Sequence, residues 1–219
     1  MLEYRGIQIT WLGHDGFKFK KDRVIYVDPF KLGSKVEPGD LVCVTHEHFD
    51  HLSLDDLKKV VTVKTTLLIS AACQEAVKGL RPKSVRVVRP GDNLDVNGVG
   101  VEVLPAYNVN KFRSPGNPFH PRTGGMLGFL LTIDGVRIYH AGDTDQIPEM
   151  SRAKGVDVAL LPVSGTYVMT PEEAIQACKA LQPALALPMH YGAIVGSEAD
   201  AEAFKQGVTC RVEILLPEH

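Results

Sequence analysis

Residues 45–51 read Thr-His-Glu-His-Phe-Asp-His, and this stretch decides how the rest of the chain is interpreted. Four of its positions carry side chains that bind transition metals or activate water: His46, His48, Asp50 and His51. The apolar run 41–44 directly before it predicts a buried strand, so the cluster lies at a strand's carboxyl end. Histidines two positions apart in an extended loop project the same way and can reach one ion. A polar surface loop rich in histidine by chance is the alternative.

The composition restricts the partners. The chain has 219 residues, with 24 basic and 26 acidic ones, and its formal net charge is -2. Because this balance gives no global attraction, we expect neither a nucleic-acid nor a membrane partner. No apolar run approaches the ~20 residues of a membrane span, and the first residues lack the apolar core of a secretion signal. Four scattered cysteines without a CxxC pair fit buried reduced thiols rather than zinc ligands: Cys43, Cys73, Cys178 and Cys210. We expect a cytoplasmic protein with one domain, residues 1–219.

Two kinds of section alternate along the chain. Antiparallel strands are predicted first, then alternating strands and helices, and the same order then repeats, as in two similar halves facing each other. The predicted strands are 7–12, 17–20, 24–27, 41–44, 67–69, 85–88, 94–96, 99–104, 127–133, 136–139, 156–161, 184–187 and 212–215. The predicted helices start after the cap Ser53 and cover 71–80, 171–181 and 198–206. Residues 105–125 have no clear period and predict a long functional loop.

Two more polar residues follow predicted strands. Asp143 lies in a Gly-Asp-Thr turn, and His190 follows Leu-Pro-Met. Alone, the first is typical of a turn or capping residue and the second of a packed histidine. The presence of residues 45–51 favours metal binding by both.

These residues resemble a known family. Thr-His-Glu-His-Phe-Asp-His resembles the HxHxDH signature of the metallo-β-lactamase-fold hydrolases, and Tyr139-His-Ala-Gly-Asp-Thr and Pro188-Met-His-Tyr-Gly resemble two of its later motifs. The resemblance implies an α/β (α+β) fold, the αββα four-layer sandwich of two mixed β-sheets flanked by helices. Within the family, Gly-His, Pro-Ala-Tyr-Asn, His-Pro-Arg and Tyr-His-Ala-Gly-Asp-Thr-Asp are similar to the small single-domain hydrolases near ascorbate-6-phosphate lactonase.

The resemblance also implies a ligand set. His46 and His48 would bind a first metal, Asp50, His51 and His190 a second, and Asp143 both. The family's third histidine for the first metal is not found, since Asn108 occupies the matching place. His120, in the same loop, is a candidate ligand, a substrate contact or an exposed residue. We expect one or two divalent transition-metal ions, zinc first, with manganese, nickel or iron as alternatives.

Other candidates surround this set. His14, in the first hairpin turn, is a pocket residue or a surface turn residue, and Asn108 is a second pocket candidate. Lys111, Arg113 and Arg122 are loop cations that suit a phosphate or carboxylate, or are solvated charge. The resemblance suggests that Asp28 supports the metal loop from beneath, and His140 is a supporting or packing residue.

The expected reaction is hydrolysis. A metal-activated hydroxide, oriented by Asp50 as the catalytic residue, would attack a small anionic phosphodiester or a phosphorylated lactone or ester. A thioester or other ester hydrolase of the same fold is an alternative. An iron-binding oxidoreductase would differ in the metal that co-purifies and in oxygen dependence, and a non-catalytic metal-binding protein would retain metal without turnover. Homo-oligomers are compatible with this sequence.

Overall fold

A computed structural model describes residues 1–218. The chain folds into two compact units, one formed by Met1–Arg89 with residues 215–218 and the other by Pro90–Ile214. Each unit contains one seven-stranded mixed sheet with helices beside it. Among the described residues, no helix is both long enough and apolar enough to cross a membrane.

The sheet of the first unit follows the order of the chain. Strands β1 to β4 pair antiparallel, and β4 to β7 pair parallel. The strands are β1 Leu2–Tyr4, β2 Ile7–Gly13, β3 Gly16–Lys20, β4 Val24–Val27, β5 Leu41–Val44, β6 Thr66–Ile69 and β7 Ser84–Val87. Every residue of β4, β5 and β6 is buried, as expected for parallel strands that are covered on both faces. The short β1 was not predicted.

Helix α1 covers one face of this sheet. It spans Leu54–Val60, and the hydroxyl of Ser53 caps it as predicted by accepting from the backbone N–H of Asp56. Leu57 and Val60 are fully buried in a cluster with the apolar side chains of β5 and β6. This packing anchors the segment that directly follows residues 45–51.

The helix predicted for residues 71–80 is wrong. Two short 3₁₀ turns, Ala71–Cys73 and Ala76–Gly79, occupy that segment, and their hydrogen bonds span three residues. The residues have good helix propensity, but that preference is weak and the return to parallel β7 overrides it.

The sheet of the second unit has a crossover order. Its strands lie in the order β16-β15-β14-β13-β12-β9-β8, antiparallel from β8 to β13 and parallel from β13 to β16. They are β8 Asn93–Val96, β9 Val99–Pro105, β12 Leu127–Ile133, β13 Val136–His140, β14 Val158–Pro162, β15 Leu185–Met189 and β16 Arg211–Val212. The last strand ends before the predicted residue 215.

Helices α2, Pro171–Leu181, and α3, Glu198–Gly207, belong to the second unit. The predicted capping box of α2 is present: the Thr170 hydroxyl accepts from the backbone of Glu173, whose carboxylate accepts from the backbone of Thr170. Pro148–Ala153 forms a 3₁₀ segment that was not predicted.

The loop 105–125 has structure of its own. It contains a small antiparallel hairpin, β10 Phe112–Ser114 with β11 Asn117–Pro118, followed by a 3₁₀ turn at Arg122–Gly124. Residues 105–125 thus form the predicted long connection, between β9 and β12, but its hairpin and 3₁₀ turn were not predicted. Their alternation is too short to give a periodic signal.

Candidate functional site

The segment after β5 turns sharply and brings its histidines together. The backbone N–H groups of His51 and Leu52 both donate to the carbonyl of His48, which closes the turn. Nε2 of His46 lies 3.0 Å from Nδ1 of His48, and the rings of His46 and His51 are 4.0 Å apart between centroids. Three imidazoles thus converge within seven residues.

A buried carboxylate supports this turn from β4. Asp28 accepts from the Thr45 backbone N–H at 2.8 Å, from its hydroxyl at 2.6 Å, and from Nδ1 of His51 at 2.7 Å. All three side chains are buried. Because a carboxylate only accepts hydrogen bonds, Nδ1 of His51 carries the hydrogen, and Nε2 is left as the nitrogen with a lone pair. Asp28 therefore holds Thr45 and His51 in a fixed arrangement.

The turn between β2 and β3 contributes two further side chains. His14 and Asp15 are fully buried, and Gly13 and His14 both have positive φ, 93° and 51°. Nε2 of His14 lies 3.0 Å from Oδ2 of Asp50 and 3.5 Å from Oδ2 of Asp15. Nε2 of His51 lies 3.8 Å and 3.9 Å from the same two oxygens. The reading of His14 as a surface turn residue is wrong.

Asp15 was missed in the sequence. The motif Gly-His-Asp-Gly gave a weak indication, because a carboxylate in a glycine-bounded turn beside a candidate ligand faces either the site or the solvent. The burial of the side chain decides between these two orientations, and the sequence of a single turn does not show it.

In the second unit, the turn after β13 places Asp143. Gly142 has φ +66°, and a Cβ atom there would lie 2.4 Å from the carbonyl oxygen of Leu127, so the chain needs glycine at this point. The backbone N–H of Gly142 donates to Nδ1 of the buried His140. His140 thus supports the turn.

Two histidines face one oxygen of Asp143. Nε2 of His120 lies 3.3 Å and Nε2 of His190 lies 3.4 Å from Oδ2 of Asp143. His190 follows β15 with φ +60°, and its Nδ1 lies 2.9 Å from the hydroxyl of Ser164. All three members of this set are nearly fully buried.

These separations fit ligands of a metal ion. Both are longer than the roughly 2.7–3.2 Å of an ordinary N–H···O hydrogen bond. Two ligands bound about 2.0–2.1 Å from one tetrahedral ion are roughly 3.3–3.4 Å apart. Imidazole nitrogens and carboxylate oxygens are also the donor types that zinc, iron and nickel accept. Each unit therefore contains buried His and Asp side chains of the types that bind metal ions, and all of these residues belong to groups that could hold an ion.

Asn108 holds His120 in place. Its Oδ1 accepts from the backbone N–H of His120 at 2.8 Å and lies 3.1 Å from Nδ1 of the ring, while its Nδ2 donates to Oδ1 of Asp145 and to the carbonyl of Tyr167. His120 is 1% exposed, so the reading of an exposed loop residue is wrong. Asn108 thus uses its amide to orient the histidine, and its role as a pocket residue stays a prediction.

Asp145 organises the start of the same loop. Its Oδ2 accepts from the backbone N–H groups of Val109 at 2.7 Å and Asn110 at 2.9 Å, and it is 1% exposed. Asp145 was not predicted as a site residue. Its signal was the second acid of Asp-Thr-Asp, which alone cannot be told from a surface charge.

The loop cations bind acids within their own unit. Lys111 pairs with Glu173 at 2.6 Å and lies 3.5 Å from Asp145, and Arg122 pairs with Glu149 at 2.7 Å. Arg113 stacks on the ring of Phe119 instead. In the described part of the chain, carboxylates thus pair with Lys111 and Arg122 and largely neutralise their charge.

The pKa values of this loop agree with that pairing. Burial would raise the pKa of Glu173, but hydrogen bonds from Lys111, Thr170 and Asn110 outweigh it and hold the pKa below its usual value. Burial raises the pKa of Tyr107, and the nearby Glu149 adds to the effect. Glu173 therefore remains a carboxylate, and Lys111 keeps its partner.

Comparisons with known proteins extend over nearly the whole chain. A family model described as a β-lactamase superfamily domain matches residues 8–190. A relative from Methanoculleus marisnigri, which is named as a metal-dependent hydrolase, is 36% identical over 222 residues. The match covers 96% of this chain and 94% of the relative. A crystal structure from Parabacteroides distasonis, also a metal-dependent hydrolase by name, is 31% identical with a TM-score of 0.81 and covers 95% of this chain and 92% of that one.

A third similar protein is Igni18, a metallo hydrolase from Ignicoccus hospitalis. It is 26% identical, with a TM-score of 0.76 over 97% of this chain and 96% of that chain. The matches confirm the predicted fold class, two mixed β-sheets flanked by helices.

Proposed function

Because the chain belongs to the β-lactamase superfamily, whose model spans residues 8–190, we propose that it is a metal-dependent hydrolase that cleaves a small carbonyl ester or lactone. The observation that carries the proposal is the pair of His/Asp sets. In the second unit, two Nε2 atoms face one carboxylate oxygen of Asp143 at 3.3 and 3.4 Å. A water-activating ion requires such neutral nitrogen and anionic oxygen donors.

Each unit provides its own set of proposed ligands. They are His46, His48, Asp50 and His51 in the first and His120, Asp143 and His190 in the second. When bound, a divalent ion at either set supplies a Lewis acid that lowers the pKa of water and polarises the scissile carbonyl. We expect zinc first, since imidazole predominates among the donors.

Asp50 is the proposed proton acceptor. Its side chain is 13% exposed, whereas those of Asp15 and Asp28 are fully buried, so water reaches Asp50 most readily among these three. His14 holds the Asp50 carboxylate through Nε2 at 3.0 Å. A carboxylate held in this way can orient a water molecule and receive its proton without first reorganising.

The cation pairing favours a carbonyl ester over a phosphodiester. A phosphate-binding site needs donors that are not already matched by carboxylates. Lys111 is only 14% exposed and is paired with Glu173 at 2.6 Å. Arg122 is 70% exposed, but it is paired with Glu149. These two predicted substrate contacts thus provide little charge for a phosphate.

Phosphodiester hydrolysis is the second candidate, and Arg113 favours it. Of the three loop cations, Arg113 is the one that has no carboxylate partner among residues 1–218. It lies in an exposed strand of the hairpin and stacks on the ring of Phe119. Substitution of Arg113 by alanine would then raise KM for phosphodiesters while leaving KM for uncharged lactones unchanged.

The test is a substrate panel on defined metal forms. The protein is stripped with a chelator, reloaded with zinc, manganese, nickel or iron, and assayed on lactones, carboxylic esters, thioesters and phosphodiesters. We expect metal-dependent turnover of lactones or esters, lost by more than 100-fold in Asp143→Ala, since a ligand is removed. Asp22→Ala, a change at an exposed turn, is the matched control and should retain activity.

Three results would contradict the proposal. Turnover of phosphodiesters alone would assign the second candidate. Retained metal without turnover on any class would indicate a non-catalytic metal-binding protein. Equal activity of Asp143→Ala and wild type would remove the proposed ligand set from the reaction.

A further inference from the structure

Two cysteines that are far apart in sequence meet in the second unit. Cys178 lies in the last turn of α2, and Cys210 directly precedes β16. Their sulfur atoms are 3.4 Å apart. Because 32 positions separate them, the sequence gives no spacing signal for this pair.

The pair differs from the other two cysteines in accessibility. Cys43 and Cys73 are fully buried, whereas Cys210 is partly exposed and Cys178 lies behind it at 2% exposure. A surface cavity of about 550 Å³ borders the pair. The cavity is lined by Cys178, Lys179, Gln182, Pro183, Val208, Thr209 and Cys210. A small reagent can therefore reach Cys210 first.

The contact between the two thiols also indicates which sulfur reacts first. The Cys178 S–H, donating to Cys210, lowers the pKa of Cys210, and the same contact together with burial raises the pKa of Cys178. Lys179 adds a cation to the cavity wall. A thiolate, and not a thiol, is the nucleophile in exchange reactions. Cys210 is thus the attacking sulfur and Cys178 the second one.

We propose that Cys178 and Cys210 form a reversible dithiol site that low-molecular-weight disulfides oxidise to an intramolecular disulfide. The Cys210 thiolate attacks one sulfur of the external disulfide, whose S–S bond breaks and releases one thiolate. Cys178 gives its proton to solvent and attacks the Cys210 sulfur, and the second external thiolate leaves. Two protein thiols are oxidised, and the reagent is reduced to two thiols, which take up the two protons.

Closure needs little movement. An S–S bond is about 2.05 Å long, so the sulfur atoms must approach by roughly 1.4 Å from their present separation of 3.4 Å. Strand β16 has only two residues, Arg211–Val212, and it pairs with β15 alone, so its end can adjust. The closed loop would span residues 179–209, which include β15, α3 and His190.

The test is peptide mapping of the full-length protein after equilibration with oxidised glutathione. Free thiols are alkylated, and the protein is digested with trypsin without reduction. We expect residues 155–179 and 206–211 to appear as one linked peptide, two hydrogens lighter than the sum, which reduction separates. The oxidised form should also melt about 5–10 °C higher, because the link constrains the unfolded chain.

Single variants assign the steps. In Cys178→Ser, glutathione should remain attached to Cys210, because no second thiol displaces it. In Cys210→Ser, Cys178 should stay reduced. Cys43→Ser is the control and should form the 178–210 link as wild type does. Separate alkylated peptides from wild type in excess oxidised glutathione would overturn the proposal, as would equal modification of Cys43 and Cys73.

Discussion

Substitution of Asn108 by alanine is expected to weaken both the fold of the second unit and its metal affinity. The amide makes four contacts: two with His120, one with Asp145 and one with the carbonyl of Tyr167. At about 1 kcal/mol net for each hydrogen bond, their loss lowers the free energy of unfolding by about 3–4 kcal/mol. For a chain of this size, that corresponds to a fall of about 10 °C in Tm.

The effect on metal affinity follows from the orientation of His120. Without Oδ1 of Asn108, the ring is free to rotate or to change the nitrogen that carries the proton, and Nε2 no longer faces Asp143 in a fixed position. Loss of such a supporting contact costs about 10–100-fold in metal affinity. The affinity is measured by competition with a chromogenic chelator, and the stability is measured on the metal-free protein, so that the two effects are separated.

Asn110→Ala is the matched control, two positions along the same loop. Its exposed amide contacts Lys111 and Glu173 but not His120. The expected loss is below about 1 kcal/mol, as for an exposed polar contact, with metal affinity unchanged. If Asn108→Ala and Asn110→Ala bound metal as tightly as wild type, the role of Asn108 as the residue that positions His120 would be refuted.

Two further predictions concern stability. Burial would raise the pKa of Asp56, but hydrogen bonds, chiefly from Lys59, lower it below its usual value. Its contribution is therefore present above about pH 4 and lost as the pH falls through the lowered value, so Asp56→Asn should flatten the acid decline in urea melts between pH 3 and 7. Gly142→Ala should cost about 3 kcal/mol in the same assay, because φ is +66° and the new Cβ would meet the carbonyl of Leu127. At Gly135, with φ +80° and open space, alanine should cost about 1 kcal/mol, and equal losses at the two sites would contradict the steric argument.

The sequence predicts those elements in which several local signals agree. Strand β5 and helix α2 have the predicted bounds, Leu41–Val44 and Pro171–Leu181, because an apolar run with clear ends and a capping box specify them independently of the remaining fold. Residues 71–80 carry only helix propensity, with no cap at either end. That single weak preference was overridden by the requirement to return to a parallel strand.

For a related reason, the sequence predicts some residues of the candidate site and misses the contacts of others. Residues 45–51 are contiguous, so residue type and spacing alone identify them. His120 and Asn108 are 12 positions apart in a loop without a period, and Cys178 and Cys210 are 32 apart. Contacts of that kind depend on how the elements pack in three dimensions, and no local sequence pattern indicates them.

The histidine rings share one arrangement that packing alone does not require. His51, His120 and His190 each have Nδ1 within 3.1 Å of a carboxylate, amide or hydroxyl oxygen, and each has Nε2 within 4 Å of a carboxylate oxygen. Nδ1 of His46 similarly lies 3.0 Å from a hydroxyl, and its Nε2 faces Nδ1 of His48. An oxygen at Nδ1 selects the tautomer with a lone pair on Nε2, as ligation requires. The arrangement therefore predicts ligation through Nε2 for four histidines and through Nδ1 for His48. Two-bond ¹H–¹⁵N spectra of the zinc form would show the opposite pattern for His48, and Nε2 ligation at all five would disprove the assignment.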